Sequence, residues 1–222
     1  MVRRMPTGTT TFAEFIELIP EDHKADLLEG VIYWASPENA EHNDLLCWLT
    51  AVLRPFIEER RLGRLTINKV AYRLSDRTAP EPDLGFVAAD RVDRIKLGYV
   101  DGPPDVAVEI VSPDSVERDY ENKRRRYEAA GVKEYWIIDP LERTATFLVR
   151  EGEALVERLP RGEPPPWTRG DKGGSTDSDA AASALRVYQS RVLPGFELDD
   201  RWLRQRPLPP TMPIVRGMLE QP

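Results

Sequence analysis

Two acidic side chains in this sequence sit where acids are costly. Glu109 lies within DVAVEIV (105–111), and Asp83 follows Pro82 at the head of PDLGFVAA (82–89). In an extended chain alternate residues share a face. Ala107, Glu109 and Val111 therefore point one way, while Val106, Val108 and Ile110 point the other. A carboxylate on an otherwise apolar face is expensive unless a cation or hydrogen bonds compensate it. If the two strands pair, Asp83 and Glu109 converge, and two converging carboxylates suit a hard cation, magnesium first and manganese as the alternative.

A third group comes from the next element. Residues 114–130 read as a helix, opened by a capping box from Asp114 to Glu117 and closed by Gly131. At about 100° per residue, Val116, Asp119, Tyr120, Lys123, Tyr127 and Ala130 share one face, which the sheet must cover. An ammonium group there needs a partner, and a metal–carboxylate site supplies one. In that arrangement a cation on Asp83 and Glu109 polarises a phosphodiester oxygen and acidifies a water. Lys123 orients the water or stabilises charge on the phosphate. Arg118, Arg124 and Arg125 offer local positive surface. Plainer readings exist for each: Asp119 and Lys123 stand four apart and also make an ordinary helix pair, and the arginines suit a solvated helix face.

The elements that must position these groups are legible to different degrees. TFAEFIELIP (11–20) gives a short helix stopped by Pro20, and LLEGVIYWA (27–35) a small β element turning at Gly30. Ser36, with Pro37 behind it, is the expected cap of a helix to about Glu59, carrying an apolar stripe from Leu45 to Ile57 that Pro55 should kink or shorten. RLTINKVAYRL (64–74) reads as one strand with a bulge near Asn68. EYWIIDP (134–140) and TATFLVR (144–150) read as a hairpin. The expected organisation is a single domain over 12–203 with a flexible insert at about 160–182 and a proline-rich tail at 204–222.

Bulk properties limit the function. With 41% hydrophobic and 31% charged residues the chain reads as globular, and no apolar run approaches the roughly 20 residues of a membrane helix. The basic start MVRRMPTGTT precedes no apolar stretch, so no secretory signal is expected. A single cysteine, Cys47, excludes an internal disulfide, and a cytoplasmic location fits. The net charge of −7 matters more: a surface that neutralises phosphates must be local, or framed by a pair of chains.

Taken in order, Pro82-Asp83, EIVSPDS (109–115) and DYENKRRRYEAAGVKEYWIIDP (119–140), with LLEG (27–30) and PENAEH (37–42) upstream, resemble the Uma2 family of endonucleases in the PD-(D/E)xK superfamily. The resemblance covers residues 12–150 well and 183–203 loosely. It implies an α/β fold with a restriction-endonuclease-like core, a mixed β-sheet flanked by helices. It also implies Asp83 and Glu109 as metal ligands, Mg2+ or Mn2+ as cofactor and DNA as substrate, with a homodimer to engage both strands. One departure stands out. The superfamily lysine lies two residues after the acid, where this chain has Val111, and Lys123 is the residue that matches within this family. By the same resemblance Glu29 adds an acidic group and His42 reaches the site from its helix. Two other functions compete: a non-catalytic binding module on the same fold, and a metal-dependent hydrolase of small phosphoesters. Convergence of residues 83, 109 and 123 favours an enzyme. A broad basic groove favours DNA, and a closed pocket favours a small substrate.

Overall fold

The computed structural model describes residues 4–5, 9–20, 23–37, 39–160 and 187–221; apart from Pro160, the expected insert at 160–182 lies outside them. Strand β1 (Arg4–Met5) precedes helix α1 (Phe12–Leu18), which opens on a reciprocal cap between Thr11 and Glu14 and buries Phe12 and Phe15. Strands β2 (Ala25–Leu28) and β3 (Val31–Trp34) pair antiparallel. Glu29 and Gly30 both take positive φ, 51° and 76°, as a tight two-residue hairpin turn requires.

Helix α2 (Ala40–Glu59) starts at Asn39, whose side chain accepts a hydrogen bond from the His42 amide at 2.8 Å. The expected cap, Ser36, is engaged elsewhere, donating its hydroxyl proton to Asp114. Pro55 does not shorten α2. The carbonyl it deprives of an N–H belongs to Ala51, which is exposed and open to water.

The expected bulged strand at 64–74 is two strands. β4 (Gly63–Ile67) and β5 (Ala71–Arg73) are separated by Asn68 and Lys69, both at positive φ (40° and 46°), and they belong to different sheets. β6 (Leu84–Ala88) leads through a 3-10 turn (Ala89–Arg94) to β7 (Tyr99–Asp101), which pairs with β5. After β8 (Val106–Ile110), a π-helical turn (Arg118–Lys123) runs into α3 (Arg124–Ala130), closed by Gly131 in the left-handed region at φ 87°. β9 (Glu134–Asp139) and β10 (Thr144–Glu151) form the expected hairpin, followed by β11 (Ala154–Glu157), β12 (Val187–Gln189), β13 (Glu197–Asp199), α4 (Asp200–Arg204) and α5 (Thr211–Leu219).

The main sheet has six strands in the order β11-β10-β9-β8-β6-β4, mixed because only β8 and β9 run parallel. That parallel step is made by the crossover through the π turn and α3. One face of the sheet, with Leu84, Phe86, Val106, Val108, Ile110 and Trp136, packs on Leu49, Val52 and Phe56 of α2. The other, with Ala107, Val111, Tyr135 and Ile137, packs on Tyr127. Glu109 lies on this second face by strand alternation. Among the described residues no helix is long and apolar enough to cross a membrane.

The stretch expected as a tail is part of the core. In α5, Ile214, Val215 and Met218 are buried against the α2 face, and Trp48 donates its indole N–H to the Pro209 carbonyl at 2.7 Å. The prolines at 207, 209, 210 and 213 hide an apolar spacing that still suits one short helix. Met218→Ala is therefore expected to cost about 2–5 kcal/mol in urea unfolding; an unchanged midpoint and slope would show that the segment is dispensable.

Candidate active site

Lys123 is the most deeply buried cation among the described residues. Its side chain is 2% exposed, and its Nζ stands 2.9 Å from Glu109 Oε1, 3.1 Å from Asp26 Oδ2 and 3.6 Å from Asp119 Oδ1. The helix pair with Asp119 therefore exists but is the longest of the three contacts. Tyr127, one turn further along, donates its hydroxyl proton to the same Glu109 Oε1 at 2.9 Å.

The π turn changes which side chains face inward. A widened i→i+5 turn shifts the helical phase, so Arg118, Asp119 and Lys123 all line one pocket. Val116, expected on the buried face, is 42% exposed, and Tyr120 is directed to Asp139, to which it donates at 3.1 Å. The Asp114–Glu117 capping box is replaced by a turn in which Ser115 Oγ accepts from the Ser112 amide at 2.9 Å.

Asp83 sits one residue before β6. The register pairs Leu84 with Val108, so Asp83 falls beside Glu109 on the adjoining strand. Its Oδ2 accepts from the Ile110 amide at 2.7 Å and lies 3.3 Å from His42 Nε2, while Oδ1 is held by Lys24. Burial alone would raise this carboxyl, but Lys24 and His42 hold it well below the usual carboxylate range. The pocket they share has a volume of about 290 Å³. His42 lines the same pocket.

Other candidates lie elsewhere. Glu29 is at the tip of the β2–β3 turn, 73% exposed and paired with Arg126 at 2.7 Å. A turn residue projects from the hairpin end, so it cannot share the inward face of β2. Arg124 donates to the Leu155 carbonyl at 3.4 Å, and Arg125 is 69% exposed, 3.9 Å from Glu121; neither lines the pocket. Arg118 does, bound to Asp26 Oδ2 at 3.2 Å.

The acid that the sequence reading missed is Asp26. It lies between Ala25 and Leu27 in a fully buried strand, gathers Lys123 and Arg118 on Oδ2 and accepts from the Glu81 amide on Oδ1 at 2.8 Å. The signal that singled out Glu109, an acid among buried apolar residues, also marks Asp26. Lys24, Glu81 and the hydrogen bond from Tyr127 were missed too.

Among the described residues no three His, Cys, Asp or Glu side chains form a preformed metal cage. A pair of carboxylates on adjoining strands instead fits a hard cation that keeps part of its water, as magnesium does. All three cationic side chains lining the pocket, Lys24, Arg118 and Lys123, are already paired with carboxylates inside it.

With this geometry the molecule takes its place among restriction-endonuclease-like α/β proteins. A crystal structure from Anabaena variabilis, described as "a putative nuclease belonging to DUF820", shares this fold with a TM-score of 0.57 and 20% identity, over 79% of this chain and 94% of that one. The sequence narrows the assignment further: the Uma2 profile, described as "Putative restriction endonuclease", matches residues 12–170, and the chain belongs to that family. No curated protein matches the chain. Family membership supports a nuclease role.

The buried acids set a pH dependence. Burial first, and then the charge of Asp26, pushes Glu81 up to about 8. Burial, then Asp119 and Asp83, pushes Glu109 up to about 8 against the pull of Lys123. The folded chain thus holds protons that the unfolded chain releases near 4.5. Across that window stability falls as pH rises, and it levels off above about 8. Glu81→Gln can still accept from the Ala25 amide but cannot ionise, so it should flatten the fall in Tm between about pH 5 and 8. A variant with the wild-type slope would contradict this assignment.

Proposed function

We propose that this chain is a metal-dependent endonuclease that hydrolyses phosphodiester bonds in DNA. The observation that carries this reading is the meeting of Asp83, Glu109 and Lys123 in one pocket, from two adjoining strands and the following helix. Asp83 and Glu109 would hold Mg2+, or Mn2+ in its place. When bound, such an ion polarises a phosphodiester oxygen and makes a coordinated water more acidic. Lys123 is kept charged by Asp26, Glu109 and Asp119. It presents a fixed positive charge at the pocket floor, where it stabilises negative charge developing on a phosphoryl group. Asp26 positions Lys123 and Arg118 and has no need to touch substrate. Two copies of the chain, one for each strand, would account for double-strand cleavage.

One observation favours a second reading, hydrolysis of small phosphoesters. The pocket is of bounded volume, and every cation lining it is already paired. A broad basic groove would have argued the other way.

Two tests follow. Nicking or linearisation of plasmid with Mg2+ or Mn2+ should fall about 100-fold or more in Asp83→Ala and in Lys123→Ala. Equal cleavage by both variants would assign the activity to another site or to a contaminant. Turnover of a chromogenic phosphodiester without plasmid cleavage would select the second reading. Metal affinity should also depend on pH, because Glu109 must give up its proton to ligate. Calorimetric Mn2+ affinity is expected to rise by up to about tenfold per pH unit and to level off above pH 8. A flat profile would remove Glu109 from the ligand set.

A further inference from the structure

Asp83 does not offer the pocket a free oxygen. Oδ2 is used within the protein, by the Ile110 amide and His42. Oδ1, the remaining oxygen, is held by the ammonium group of Lys24. Lys24 is also tied to Asn68 Oδ1 at 3.2 Å. Asn68 is fixed there by the left-handed turn it forms with Lys69 and by its own amide, which donates to the Asp83 carbonyl at 2.9 Å. The ammonium thus has a built seat on Asp83.

The three cations of the pocket are not equally bound. Lys123 contacts three carboxylates and is 2% exposed, and the Arg118 side chain is 11% exposed. Lys24 is bridged to one carboxylate and is 16% exposed, on a flexible four-carbon stem. Arg118 also holds one carboxylate but is less exposed, so Lys24 has the clearest route toward solvent.

We infer that Lys24 is a tethered counter-ion, seated on Asp83 Oδ1 until a divalent cation takes that oxygen, so that metal loading is an exchange of cations. The inference rests on the reading of Asp83 and Glu109 as metal ligands. In the metal-free chain the ammonium balances the charge of Asp83. It also sets a threshold, since an ion must outcompete a charge that is already in place. A monovalent ion gains little from the exchange, whereas a divalent ion gains more Coulomb energy from the same oxygens. Once released, Lys24 stays on the end of its stem beside the pocket, where an incoming phosphate would meet it.

The test is calorimetric titration of Mn2+ into the wild type, Lys24→Gln, Lys24→Arg and Asp83→Ala. Removing the competing charge in Lys24→Gln should tighten Mn2+ binding by about 10–100-fold, the range over which groups around a metal site tune its affinity. Lys24→Arg should bind no tighter than the wild type. Lys24→Gln should also melt at a lower temperature than the wild type without metal and gain more from added Mn2+. Binding that is lost in Asp83→Ala but unchanged or weakened in Lys24→Gln overturns the exchange and leaves the ligand assignment standing. Absence of binding by every variant overturns both.

Should Lys24→Gln fail to fold, the wild type suffices. The 15N signal of the Lys24 ammonium, protected from solvent without metal, should move and exchange rapidly at saturating Mg2+. A signal that stays put while Mg2+ binds would contradict the exchange.

Discussion

An ammonium group withdrawn from water must be surrounded by countercharge, and the burial of Lys123 imposes that condition on four separate parts of the chain. Desolvating a lone ion costs several kcal/mol even after relaxation. Asp26 from β2, Glu109 from β8 and Asp119 from the π turn meet that cost together, and Tyr127 from α3 fills out the hydrogen bonding of Glu109. The N-terminal hairpin is therefore tied to the main sheet by charge, while the apolar cluster of Phe12, Phe15, Leu27 and Ile32 joins it to α1 and to Ala71 and Tyr99 of the β5–β7 pair. The π turn follows the same constraint, since a regular helix could not bring Arg118, Asp119 and Lys123 to one pocket so readily.

The interior of the pocket holds Asp26, Asp83, Glu109 and Asp119 against Lys24, Arg118 and Lys123. With every group ionised, negative charge is in excess, and burial removes it by leaving the proton on Glu109. Under the proposed function, this balance would reconcile an acidic chain with an anionic substrate. The pocket's own cations are spent on its own acids, so under the proposed function the positive charge that meets a phosphate would come mainly from a bound metal ion. An acidic surface elsewhere then costs little.

Much of this was legible from residue type and spacing. The acids at 83 and 109 stood out because strand periodicity placed them among apolar neighbours, and Lys123 because helical periodicity turned it toward the sheet. The α2 stripe and the Gly131 stop were equally plain. What failed did so for physical reasons. Glu29 matches a family position but projects from the hairpin tip, whereas Asp26 faces inward from β2. The strand at 64–74 ran on because Asn68 and Lys69 take positive φ without a glycine to announce it. Prolines around residue 210 concealed a helix whose apolar residues complete the core. Lys24 lay beyond sequence reasoning, because its seat depends on a turn 44 residues away.

The central claim is that Asp83 and Glu109 share one divalent ion. Crystals grown with manganese and measured for anomalous scattering test it most directly. The account predicts a single peak about 2.1 Å from a carboxylate oxygen of each residue, with the Lys24 ammonium withdrawn from Asp83. A peak bound by other side chains, or no peak at saturating manganese with Lys24 still on Asp83, would contradict it.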